Sequence, residues 1–149
     1  MTPGPSGACG AVEEALLIRH ESDVFAARRL VRDVAKREGM RLAETEALVT
    51  AVSEIARNVL VHAGSGRLSL GVSTEGDDRT LVVVTVDEGQ GIPDLQRAMT
   101  DGYSTKGGLG YGLSGAQRLT DAFEIVSEVG RGTTVTLKKR IHPCFGRRG

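Results

Sequence analysis

Two stretches carry residue types and spacings suited to holding a phosphate-bearing ligand: Asp87-Glu88-Gly89-Gln90-Gly91, and the glycine-dense run Gly107-Gly108-Leu109-Gly110-Tyr111-Gly112. Glycines at this density open positive φ to the backbone and let it approach a ligand closely, at an entropic cost. The second run leads straight into a helical pattern, so free N–H groups and the positive end of a helix dipole would face an anion. The polar segment between the two has neither helical nor strand period and reads as a lid. Lys106 within it could swing onto a phosphate or stay solvated.

Glu54, Asn58 and His62 recur at i, i+4 and i+8, which places them on one helix face beside an apolar stripe. An Asn amide oxygen is a hard ligand able to help hold Mg²⁺, a cation that keeps several waters and takes other oxygens from substrate phosphates. A carboxylate one turn earlier suits the orientation or deprotonation of a hydroxyl or water attacking a γ-phosphate. Ordinary helix-surface polarity is the alternative for this pair. His62 either contacts phosphate or ends the helix, and the second role suits a His near the last carbonyls better.

Asp87 follows the apolar run Leu81-Val82-Val83-Val84-Thr85-Val86, so its carboxylate belongs at the rim of a sheet, where an adenine 6-amino group is a fitting donor. A 6-oxo base would leave the buried acceptor unpaired. A turn-starting Asp before glycine is the plain alternative. Thr133, just after Gly130-Arg131-Gly132, either places a hydroxyl near the base, directly or through water, or is one β-branched residue in a strand.

Gly110, Gly112 and Gly115 spell G-x-G-x-x-G, but a dinucleotide fingerprint requires a strand directly before the first glycine. Gly102-Tyr103-Ser104-Thr105-Lys106-Gly107 has no strand character. A Walker A loop is excluded because no glycine of the run is followed by Lys-Ser or Lys-Thr.

The elements that must position these residues follow from periodicity. Ala15-Leu16-Leu17-Ile18, within Val12 to Arg19, suits a first strand at an edge. Ser22 is expected to cap a helix from Asp23 to Glu38 whose inner face is Val24, Ala27, Val31 and Val34, with Gly39 as its stop. A second helix from about Ala43 to Val61 buries Leu48, Ala51, Val52, Ile55 and Val59. Arg67 to Thr74 and Thr80 to Val86 form a hairpin around Gly76-Asp77-Asp78. After the lid come a short helix from Leu109 to Thr120 and a closing hairpin, Ala122 to Glu128 and Thr133 to Ile141.

The chain has 149 residues, 40% of them hydrophobic, and fits one domain over residues 12–141 between flexible tails at 1–11 and 142–149. Nineteen basic and 19 acidic residues cancel to +0, so no general attraction to nucleic acid or to anionic membrane is expected. Cys9 and Cys144 lie in the tails, too far apart for a zinc site, and no secretory signal or membrane span is recognisable, so a reduced cytoplasm is expected.

Taken in order, Glu54-x-x-x-Asn58, Asp87-x-Gly89-x-Gly91, Gly108-x-Gly110-x-Gly112 and Gly130-x-Gly132-Thr133 resemble the N, G1, G2 and G3 boxes of the GHKL superfamily of ATPases. Each motif is weak alone; their order is specific. With Ser53-Glu54-Ile55-Ala56-Arg57-Asn58 and the short lid, residues Glu13 to Ile141 look most like the bacterial anti-sigma-factor serine/threonine kinases, and among these the RsbT type of switch kinase.

The resemblance implies an α/β (α+β) two-layer sandwich, the Bergerat fold, with helices on one face of a mixed, mostly antiparallel sheet. It implies that Asn58 holds Mg²⁺, that Asp87 reads adenine, and that Gly89 and Gly91 let the backbone approach the base. Gly108, Leu109, Gly110, Tyr111, Gly112 and Leu113 would wrap the phosphates of ATP, with Lys106 and Thr133 as further contacts. Glu54 would be the base that activates a protein hydroxyl.

The implied acceptor is a Ser or Thr on a STAS-domain antagonist or scaffold protein, and a freed kinase could activate a PP2C-type phosphatase. Against this stands a non-catalytic, nucleotide-gated module that activates such a phosphatase or sequesters a sigma factor.

Overall fold

A computed structural model of the chain describes residues 14–93 and 113–142. The elements are β1 (Glu14–Ile18), α1 (Glu21–Arg37), α2 (Leu42–Ala63), β2 (Gly66–Glu75), β3 (Asp78–Asp87), α3 (Leu113–Arg118), β4 (Ala122–Glu128) and β5 (Gly132–Arg140). The five strands form one sheet in the order β1-β2-β3-β5-β4, with β1 at an edge as its short apolar run suggested. Every pairing among the described residues is antiparallel.

Alternation along the strands determines where the core sits. Leu68, Leu70, Leu81, Val83, Val135 and Leu137 are buried, while their neighbours Val82, Val84 and Val86 are half-buried or exposed on the other face. The buried face meets Val24, Ala27, Val31 and Val34 of α1 and Leu48, Val52, Ile55 and Val59 of α2. Both long helices therefore cover one side of the sheet, and the result is a two-layer α+β sandwich. Each fully buried Leu, Ile or Val contributes about 1.5–3 kcal/mol to holding the layers together.

The start of α1 differs from the sequence expectation. His20 is the N-cap residue, in extended conformation, and Asp23 reaches back so that its Oδ2 accepts the N–H groups of Arg19 at 2.8 Å and His20 at 2.9 Å. Ser22 already lies inside the first turn. The carboxylate at the third helical position thus accepts donors at and before the N-cap, whereas a capping Ser22 would have accepted from amides inside the first turn. These two backbone bonds hold the Asp23 carboxyl below its usual range.

Both hairpins follow their turn residues. Gly76, at φ 61, closes the β2–β3 turn, and Gly130, at φ 85, closes the β4–β5 turn. Arg32 joins Glu46 through paired hydrogen bonds of 2.9 and 3.0 Å and so ties α1 to α2. Lys139 of β5 is nearly buried; its Nζ donates to the Leu119 carbonyl at 3.0 Å and lies 3.3 Å from Glu44 Oε1, linking the end of α3 to the start of α2.

Candidate functional site

Helix α2 carries one wall of the site. Its stripe of Leu48, Val52, Ile55 and Val59 is fully buried against the sheet, which leaves Glu54, Asn58 and His62 half-buried along the adjoining side. The helix ends at Gly64, φ 87, whose N–H donates to the Leu60 carbonyl at 3.1 Å. Strand β3 carries the floor: Asp87 is its last residue, opposite Thr133 of β5 and Gly66 of β2.

These elements converge on one pocket of about 370 Å³, including the part open to solvent. Asn58, His62, Thr85, Asp87 and Thr133 supply its polar lining, and Ile55, Val59, Ile92, Leu113, Ile125 and Val135 its apolar walls. Apolar walls with a few convergent polar groups suit a flat heteroaromatic ligand. Carboxylate and hydroxyl side by side on the floor suit hydrogen bonds to its edge.

The backbone after β3 is strapped to the protein on both sides. The Gly89 N–H donates to Asp87 Oδ1 at 2.9 Å, and a Cβ on Gly89 would stand 2.5 Å from Ala63 Cβ at the end of α2. Gly91 has φ 80, and a Cβ there would stand 2.5 Å from the Glu128 carbonyl oxygen. The glycines thus let the loop sit tightly between α2 and the β4–β5 turn, and this close seating puts Gly91 and Ile92 against the pocket. The Gly130 N–H donates to the Gln90 carbonyl at 2.9 Å, and the Ile92 N–H to Ser127 Oγ at 2.7 Å.

Asn58, Asp87, Gly91, Leu113 and Thr133 are therefore brought together from four separate parts of the chain. Gly89, two residues after Asp87, holds its carboxylate. Glu54 sits one helical turn before Asn58 and does not line this pocket. Lys106, Gly108, Leu109, Gly110, Tyr111 and Gly112 lie outside the described residues, as do Cys9 and Cys144.

His62 lies in the last turn of α2, and it also lines the pocket. Burial pushes its imidazole pKa below the usual 6.5, with the Asp87 carboxylate pulling the other way. Sequence reasoning missed Thr85 and Ser127. Thr85 is nearly buried two residues before Asp87 on the same strand face, and Ser127 is the β4 partner of Thr133. A hairpin register counted out from Gly130 would have found Ser127.

Among the described residues no helix is long and apolar enough to cross a membrane.

Comparison with known proteins bears on this geometry. The sequence matches the family of histidine kinase-like ATPase domains over residues 19–139. It is 42% identical over 118 residues to the serine/threonine-protein kinase RsbT of Bacillus subtilis (strain 168), covering 79% of this chain and 89% of that protein. It is 34% identical over 130 residues to the anti-sigma F factor of Geobacillus kaustophilus (strain HTA426), covering 83% of this chain and 87% of that one.

Among solved structures, the crystal structure of the RsbU and RsbW domains of Rv1364c from Mycobacterium tuberculosis shares the fold. Its TM-score is 0.63 at 17% identity, covering 93% of this chain, which in turn spans only 35% of that larger one. At that identity the likeness concerns the fold alone.

Proposed function

The chain belongs to the family of histidine kinase-like ATPase domains, and from that membership we propose that it is a serine/threonine-protein kinase that transfers the γ-phosphoryl group of ATP to a partner protein. The observation that carries the reading is the convergence of Asn58, Asp87, Gly91, Leu113 and Thr133 on one apolar-walled pocket. The adenine would lie between Ile55, Val59, Ile92 and Leu113, with its 6-amino group toward Asp87 and Thr133. Gly108, Leu109, Gly110, Tyr111 and Gly112, which precede Leu113 in sequence, would wrap the phosphates, with Lys106 as a further contact.

Asn58 would offer one oxygen to Mg²⁺. The ion would take its remaining oxygens from phosphates and water. Bound there, Mg²⁺ would offset the negative charge of the phosphates.

Glu54, one turn before Asn58 and outside the pocket lining, would face the phosphate end of such a ligand. Its carboxylate would accept the proton of a Ser or Thr hydroxyl as that oxygen bonds to the γ-phosphorus and the bond to the β–γ bridging oxygen breaks, releasing ADP. Positioning and charge offset supply most of the rate in such transfers.

The acceptor we propose is a small STAS-domain antagonist or scaffold protein in a bacterial partner-switching circuit in the cytoplasm, with a PP2C-type phosphatase as the partner of the freed kinase. The supporting relatives are the RsbT kinase and the anti-sigma F factor named above. Incubation with labelled ATP, Mg²⁺ and a STAS-domain protein encoded beside this chain tests the reading. Phosphate on a Ser or Thr of that protein is expected. Tight ATP binding without any transfer would sink the kinase assignment in favour of a nucleotide-gated binding module.

A further inference from the structure

Three neighbouring strands place one polar residue each in a single cross-strand row at the pocket floor. Asp87 of β3 is opposite Thr133 of β5, and Thr133 is opposite Ser127 of β4. Asp87 and Thr133 line the pocket; Ser127 stands behind them. Its Oγ accepts the Ile92 N–H at 2.7 Å and lies 2.8 Å from Thr133 Oγ1 and 3.3 Å from the Gly132 carbonyl oxygen.

A serine hydroxyl has one proton and two lone pairs. The Ile92 amide occupies one lone pair. If the proton goes to the Gly132 carbonyl, the second lone pair is left for the Thr133 hydroxyl proton, and every group in the cluster is satisfied. If Ser127 instead donates to Thr133, the Gly132 carbonyl loses this donor and the Thr133 proton turns elsewhere. The first arrangement gives both hydroxyl protons a partner within the cluster, and the inference proceeds from it.

In that arrangement Thr133 has only lone pairs left to show the pocket. Asp87 shows the same polarity, because a carboxylate only accepts and its Oδ1 already holds the Gly89 N–H at 2.9 Å. The floor is thus a pair of acceptors.

We infer that Ser127 is a positioning residue for nucleobase selection: it turns Thr133 into an acceptor and pins Ile92 against the pocket, so that a base with an exocyclic amino group is preferred over one with an oxo group there. An amino group has two N–H bonds to place, and an oxo group has none. The inference rests on the ATP-site reading above and goes beyond it by assigning selectivity to a residue outside the pocket.

The test is equilibrium binding of ATP and ITP to the full chain, as wild type and as Ser127→Ala, Thr133→Val and the double variant. The wild type is expected to prefer ATP. Ser127→Ala should narrow that preference by about three- to tenfold, the range of one neutral hydrogen bond. Thr133→Val should do the same, the double variant should go no further than Thr133→Val alone, and Ser127→Thr, which keeps the hydroxyl, should restore the preference.

Equal weakening of ATP and ITP by Ser127→Ala, or losses that simply add in the double variant, would overturn the inference while leaving the ATP site standing. A wild type that binds neither nucleotide, or prefers ITP, would overturn the ATP-site reading and the inference together. Should Ser127→Ala fail to fold by circular dichroism, Ser127→Cys, a similar volume with a weaker donor and acceptor, takes its place with the same expectation.

Discussion

Asp87 and Thr133 face each other across β3 and β5 at the last register pair of that ladder, where strand order changes from sequence neighbours to a crossover. Two residues 46 positions apart thereby share one polar floor under α2. The carboxylate is preset by the Gly89 amide and the hydroxyl by Ser127, so neither has to reorganise when a ligand arrives.

Asp87→Asn should weaken ATP binding by about ten- to a hundredfold with the fold intact. The amide keeps an oxygen for the Gly89 N–H but presents a donor where the ligand also brings one, and a buried mismatch of this kind costs about 1–3 kcal/mol. Calorimetric titration with ATP is the check, and an unchanged affinity would remove Asp87 from the binding site.

Glu54→Gln should separate binding from chemistry. Because Glu54 lies outside the pocket lining, ATP affinity should stay within about twofold, whereas transfer to the acceptor should fall by about 10²–10⁴-fold, the span of a lost general base. Single-turnover transfer measured beside nucleotide affinity gives both numbers; equal losses in the two would mean that Glu54 contributes to binding.

Gly91→Ala should destabilise the protein by about 1–3 kcal/mol, since φ 80 disfavours any Cβ and the new methyl would meet the Glu128 carbonyl. A shift in the urea midpoint reads this. Gly115→Ala, inside α3 with open space around its Cβ, is the matched control and should be neutral or slightly stabilising.

His62 should make stability pH-dependent. Its folded pKa lies below 6.5 because burial disfavours the imidazolium. Between that lower value and 6.5 the unfolded chain binds more protons than the folded one. Stability is therefore full above 6.5, falls as pH drops through this window, and stops falling from this cause once the folded imidazole is itself protonated. Urea midpoints at about pH 7.5 and about pH 5.5 should differ less for His62→Gln than for the wild type. An equal difference in the two proteins would show that other groups, such as the depressed carboxyls of Asp23 and Glu46, carry the effect.

Local patterns were enough to place the two long helices and both hairpins; of the short helix expected from Leu109 to Thr120, Leu113–Arg118 is helical and residues 109–112 lie outside the described residues. The apolar stripe of α2 at helical spacing buried as expected, and helix geometry alone ensured that Glu54 and Asn58 stand one turn apart. Gly76 and Gly130 marked both hairpins because their turns require positive φ, and the β-branched run before Asp87 marked a strand, whose central place in the sheet only the fold shows. The N-cap of α1 was misplaced by two residues because Ser22 and Asp23 both carry capping oxygens, and only the backbone path shows which donors lie within reach.

What tertiary structure alone decided is the meeting of these parts. Asn58 and Asp87 belong to different layers, and they share a pocket only because the packing of Ile55 and Val59 on the sheet sets how α2 crosses the end of β3. Hairpin register about Gly130 sets Ser127 opposite Thr133, but only the fold brings its hydroxyl within 2.7 Å of the Ile92 amide, 35 residues away. Periodicity reports which face a side chain takes along its own element, whereas distances between elements depend on how the layers dock, and docking is a sum over the whole core.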